Sequence, residues 1–127
     1  MSTFSQKWQG CMRSQHLPVP TIENANEALE FVDMLHSAWE NAGGEAGMTL
    51  GALIGTGALN AAGEQTLIVL AAAVDIAVVV YLSACMNCVV YSGFDDVKKL
   101  FASNQLPAYV LDELNKQGVD LTGEAIV

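Results

Sequence analysis

Apolar and polar positions alternate with helical periodicity at both ends of the chain, and the middle gives way to near-continuous hydrophobicity. Ile22, Ala25, Leu29, Val32, Leu35 and Trp39 recur at three- and four-residue spacing, with Glu23, Glu27, Glu30, Asp33 and Glu40 mostly off that stripe. This predicts an amphipathic helix over 21–42, capped by Thr21 behind Pro20 and stopped by Gly43-Gly44. Residues 1–20, ending in Pro18-Val19-Pro20, predict an arm or a short helix. Past Ser92, Asp95 caps a short helix through Phe101. Pro107 opens another carrying Val110, Leu111 and Leu114, and Gly118 stops it before a tail.

Between these parts, 43–92 reads as a hydrophobic hairpin, its two segments separated by a polar break near Asn60 to Glu64. Thr66 to Tyr91 contains twelve Leu, Ile and Val residues and a single ionisable acid, Asp75. Each aliphatic side chain favours a bilayer centre by about 0.3–0.6 kcal/mol, against a cost of about 2.5–3.5 kcal/mol for one Asp. The segment is therefore expected to span a membrane as one helix. The preceding segment is glycine-rich, which weakens an isolated helix. Gly43, Gly47, Gly51 and Gly55 are spaced by four, however, and on a helix would form a small-residue ridge for close packing. The expected fold is all-α, a single domain over 1–127, with amphipathic helices around a hydrophobic hairpin able to enter a membrane.

Composition sharpens this picture. Of the 127 residues 52% are hydrophobic and 15% charged, an excess of apolar character for a small domain. The net charge of −9 carries no basic footprint, which argues against nucleic acid as a partner and against adsorption to anionic lipid by charge. The first residues lack an apolar signal core, so export without a signal peptide is the expectation.

Candidate chemistry is sparse. Three cysteines, Cys11, Cys85 and Cys88, do not suggest a disulfide framework. Cys85-Met86-Asn87-Cys88 has the spacing of half a metal or redox site, but only His16, His36 and Cys11 could complete it, and packing of small thiols is the simpler reading. Gly55-Thr56-Gly57, with Asp75 twenty residues after Gly55, imitates a dinucleotide fingerprint; the third glycine position holds Asn60, and no Walker lysine is present. No catalytic residue, cofactor or metal is assigned. Asp75 inside a spanning helix is a functional candidate, with Ser83, Asn87, Thr49 and Thr56 as further polar lining.

Glycines spaced by four, an apolar span, an acidic frame and no signal peptide together resemble small pore-forming antibacterial effectors of type VI secretion. The resemblance covers about 43–91. It implies a protein made in a bacterial cytoplasm, carried by a secretion-tube protein or chaperone, and inserted in the target cell's inner membrane. There it would oligomerise through Gly43, Gly47, Gly51 and Gly55, pass monovalent cations and collapse the membrane potential. A cognate membrane immunity protein would protect the producer. Two other readings stand beside it. One is a non-toxic membrane protein of immunity or holin type, with both termini cytoplasmic given Lys7, Arg13, Lys98, Lys99 and Lys116. The other is a soluble helical adaptor or chaperone.

Overall fold

The first helix, α1 (Phe4–Ser14), starts where Thr3 and Gln6 cap each other reciprocally, and it places Trp8 and Met12 one turn apart on its buried face. The computed structural model describes residues 3–59 and 63–119, so 60–62 of the break expected near Asn60 to Glu64, and all but the first residue of the tail expected from Val119, lie outside the described residues. Five helices follow among these residues: α2 (Ala25–Asn41), α3 (Leu50–Gly55), α4 (Glu64–Ala71), α5 (Val78–Ala102) and α6 (Ala108–Lys116). The fold is all-α, with one long apolar helix, as the hydrophobic pattern predicts.

Helix α2 begins three residues later than its apolar stripe implies. Asn24 rather than Thr21 is the N-cap, accepting from the Glu27 amide at 2.9 Å, while the Glu27 carboxylate reaches back to the Glu23 amide at 3.0 Å. Its C-terminus matches expectation: Gly43 and Gly44 take positive φ values of 118° and 65°, and the Gly44 amide returns to the Trp39 carbonyl.

The largest departure from expectation lies inside the apolar run. Residues 66–91 do not form one helix; α4 stops at Ala71 and α5 starts at Val78. The intervening backbone is engaged elsewhere. Leu50 and Gly51 donate their amides to the carbonyls of Ile76 (2.8 Å) and Val74 (3.0 Å), and Val78 donates to Met48 (2.8 Å) around the Thr49–Ala77 bridge. Helix N-termini leave amides without intrahelical partners. Here the starts of α3 and α5 satisfy one another's, so the break at 72–77 is a cap shared by two helices.

Helix α5 is the centre of the core. Its Val78, Tyr81, Leu82, Cys85, Met86, Cys88 and Val89 are buried against Trp8 and Met12 of α1 and Leu29, Val32 and Leu35 of α2. Phe31 meets Tyr81 edge-on, with ring centroids 6.4 Å apart. The helix bends at Gly93, whose backbone dihedrals leave the helical region. A Cβ there would sit 2.8 Å from the Phe4 ring, so the kink admits close approach of α1.

Candidate functional site

Helix α5 carries the functional interest because it alone among the described helices is long and apolar enough to cross a membrane, with a mean hydropathy of 1.4 over its best 18 residues. Its 25 residues would extend about 37 Å. The apolar part ends at Phe94, before Asp95, Asp96, Lys98 and Lys99, and the bend at Gly93 interrupts it; the unbroken helix over 78–92 spans about 22 Å, shorter than a bilayer core of about 30 Å. One face is core, and half of the best window is buried. The opposite face is open: Val80 is 57% and Tyr91 69% exposed, with Ser83 and Asn87 between them also exposed. On α4, Ile68 is 71% exposed.

Polar fastenings hold α5 to the N-terminal arm. The Tyr81 hydroxyl donates to the Pro18 carbonyl at 2.9 Å, and Trp8 Nε1 donates to that of Pro20 at 3.2 Å. Pro18 and Pro20, in the segment that follows α1, thus supply acceptors for two aromatic donors, Tyr81 of α5 and Trp8 of α1. One covalent link is added: Cys11 of α1 and Cys88 of α5 form a disulfide, with Cα atoms 5.6 Å apart. This corrects the expectation that the cysteines are unpaired. The side-chain amide Nε2 of Gln15 donates to Cys88 Sγ at 3.1 Å, and Cys85, one turn before Cys88, stays a buried free thiol. A groove of about 490 Å³ lined by Lys7, Gly10, Cys11, Asn87 and Tyr91 opens beside the disulfide. Against these restraints, the Ser92 hydroxyl is buried without a hydrogen-bond partner, an arrangement that costs about 1–3 kcal/mol.

The residues singled out from sequence do not converge on one lining. Asp75 is exposed in the turn between α4 and α5, three residues ahead of Val78, rather than within a spanning helix. Ser83 and Asn87 share the open face of α5 one turn apart. Thr49 and Thr56 use their hydroxyls locally. Thr49 caps α3 through the Ala52 amide (3.1 Å), and Thr56 donates to the Leu53 carbonyl (2.6 Å).

Nor do the four glycines make a ridge, since a common helix is lacking. Gly43 belongs to the α2 terminus and Gly47 to the following turn; only Gly51 and Gly55 lie on α3. Gly51 is the close-approach glycine, and its neighbour is the backbone of Val74 within the same chain.

A second cluster surrounds α6. The His36 and Tyr109 rings stack with centroids 3.5 Å apart, and His36 Nδ1 lies 3.0 Å from a Glu40 oxygen. Burial, followed by the nearby Glu113 carboxylate, pushes the Tyr109 phenol above its ordinary range. Hydrogen bonding to Asp112 raises Lys116, whose Nζ is 3.3 Å from that carboxylate. The groove here, about 310 Å³, also carries Ser83. Among the described residues no group of three or more His, Cys, Asp and Glu side chains is placed to hold a metal ion.

Comparisons with protein families, with curated proteins and with solved structures find no match to the chain.

Proposed function

We propose that this chain is a water-soluble form of a membrane-inserting, pore-forming protein, with α5 as the element that enters the bilayer. The observation that carries the reading is the two-sidedness of α5. One apolar face is sheltered by α1 and α2, while the other already presents Val80 and Tyr91 to water. A helix whose hydrophobic surface exceeds what the fold covers gains more from lipid than a fully enclosed core helix does. The charged turn at Asp95–Lys99 would then remain at the water interface, and Ser83 and Asn87, on one face, would line a path between assembled copies.

In this reading the protein is an antibacterial effector that travels folded with a secretion-tube protein or chaperone, inserts into a target inner membrane and dissipates its potential. Producer cells would hold a membrane immunity protein. The alternative, a soluble helical adaptor with α5 as its core helix, is favoured by the burial of Tyr81, Cys85, Met86 and Val89.

Planar-bilayer recording of the purified protein separates the two. Discrete conductance steps that depend on protein concentration support the pore. A bilayer that stays silent with both the disulfide-bonded and the reduced protein, together with intact helicity and recovery in the aqueous fraction after exposure to vesicles, supports the adaptor.

A further inference from the structure

The disulfide joins the apolar helix to the least lipid-compatible of its neighbours. Helix α1 is only 11 residues long and carries Gln6, Lys7, Gln9, Arg13 and Ser14 around its buried Trp8 and Met12. It is too short to span a bilayer, and Lys7 and Arg13 both oppose its entry into hydrocarbon. Cys88 lies midway along α5, and its link to Cys11 crosses 77 residues of sequence. While that bond stands, α5 cannot leave the bundle without drawing α1 after it. The remaining ties of the N-terminal part to α5 are side-chain packing and the single hydrogen bonds of Gln15 and Tyr81, which can separate as α5 moves.

We infer that the Cys11–Cys88 disulfide is a redox latch: the oxidised chain is held in its closed, water-soluble form, and reduction releases α5 for insertion. This rests on the pore reading above, with α5 entering the target inner membrane from its reducing cytoplasmic side, since the oxidising periplasm keeps the latch shut. The local arrangement suits reduction from one side. Cys88 is fully buried, whereas Cys11 is partly exposed and lines the open groove with Gly10, Asn87 and Tyr91. A thiolate of a small dithiol entering that groove attacks Cys11 Sγ and breaks the sulfur–sulfur bond. Cys88 departs as a thiolate, stabilised by the Gln15 amide 3.1 Å away, and then takes up a proton. The second thiol of the reductant displaces Cys11 from the mixed disulfide. Two electrons pass to the protein, and the dithiol leaves as its cyclic disulfide.

The test uses the full chain in oxidised and dithiothreitol-treated forms. Alkylation and mass measurement first establish the thiol count; a non-reduced protein with three alkylatable thiols would overturn the latch. Amide exchange over residues 78–92 in vesicle-free buffer should accelerate at least about tenfold on reduction. Unchanged protection would overturn the latch whatever the vesicles do.

Vesicles of phosphatidylethanolamine and phosphatidylglycerol loaded with a self-quenching dye provide the second readout. The oxidised protein should leave them intact and the reduced protein should empty them. The Cys11→Ser, Cys88→Ser chain should empty them without reductant; if it does not fold, the wild-type pair gives the same comparison. Equal leakage from both redox forms would overturn the latch and leave the pore standing. No leakage from either form, with exchange accelerated, would overturn the pore and retain the disulfide as the restraint on α5. Gln15→Leu should slow reduction by dithiothreitol without changing final leakage, and an unchanged rate would remove Gln15 from the mechanism.

Discussion

Gly51 lies so close to Val74 that a Cβ on the glycine would stand 2.9 Å from the valine Cβ and 3.1 Å from its carbonyl oxygen. The Gly51 amide donates to that same carbonyl at 3.0 Å. The contact therefore joins the start of α3 to the break that ends α4. Gly51→Ala should destabilise the fold by about 1–3 kcal/mol, because the neighbour is backbone and a β-branched side chain rather than a flexible tip. Gly55 has open space at the equivalent point, so Gly55→Ala should be neutral or stabilising by up to about 1 kcal/mol. Urea denaturation of both variants makes the comparison. Equal costs would mean that the contact with Val74 is not what requires a glycine at 51.

This contact also explains why the periodicity was informative and yet incomplete. Alternation of apolar and acidic residues locates α2, and Gly43-Gly44 its end, because both signals are local. The 66–91 run contains neither glycine nor proline, so nothing within it announces a stop at Ala71. The stop comes from amides of Leu50 and Gly51 some twenty-five residues earlier in the chain, a tertiary effect that hydropathy does not encode. Cys11 and Cys88 were hidden for a similar reason. Their pairing depends on α1 lying across the middle of α5, and an odd cysteine count leaves one thiol over under any pairing. The open face of α5 was legible only in part: Ser83 and Asn87 are one turn apart in the sequence, but their exposure depends on which sides α1 and α2 cover.

Tyr109 should make the packing of α6 sensitive to alkali. Burial, then Glu113, raises its phenol above the ordinary value, so as pH rises the unfolded chain loses that proton first. The contribution is present in full below about pH 10 and declines as pH climbs from there towards the folded value. Tyr109→Phe keeps the ring on His36 and removes the titration. Stability measured by urea at about pH 9 and about pH 11 should therefore fall less steeply in the variant. Parallel slopes would mean that Tyr109 is not the group responsible.

In the pore reading proposed above, Asp75 would bear on conductance as a charge at the mouth. It is exposed and precedes α5 by three residues, so an inserted α5 leaves it beside the aqueous entrance. A carboxylate there concentrates cations only over a Debye length, about 30 Å at 0.01 M salt and about 3 Å at 1 M. Asp75→Asn should lower single-channel cation current in dilute electrolyte and leave it unchanged in concentrated electrolyte. A loss of selectivity that persists at high salt would place the carboxylate inside the filter instead.

Val80 separates folding from insertion most cleanly. Its side chain is 57% exposed on the open face of α5, so Val80→Asp should change the stability of the soluble fold by no more than about 0.5 kcal/mol. In a bilayer the same residue lies within the apolar stretch that begins at Val78, where an aspartate costs up to about 2.5–3.5 kcal/mol. Near the end of the span the cost is smaller than at its centre, so partition into vesicles should weaken by about tenfold to a hundredfold. Vesicle flotation with wild type and Val80→Asp, both reduced, measures the ratio, and urea denaturation in buffer verifies that the folds are equally stable. An aqueous protein with α5 as a permanent core helix would give two indistinguishable profiles in both measurements. Weaker flotation at unchanged stability requires that the part of α5 carrying Val80 leaves water for the bilayer.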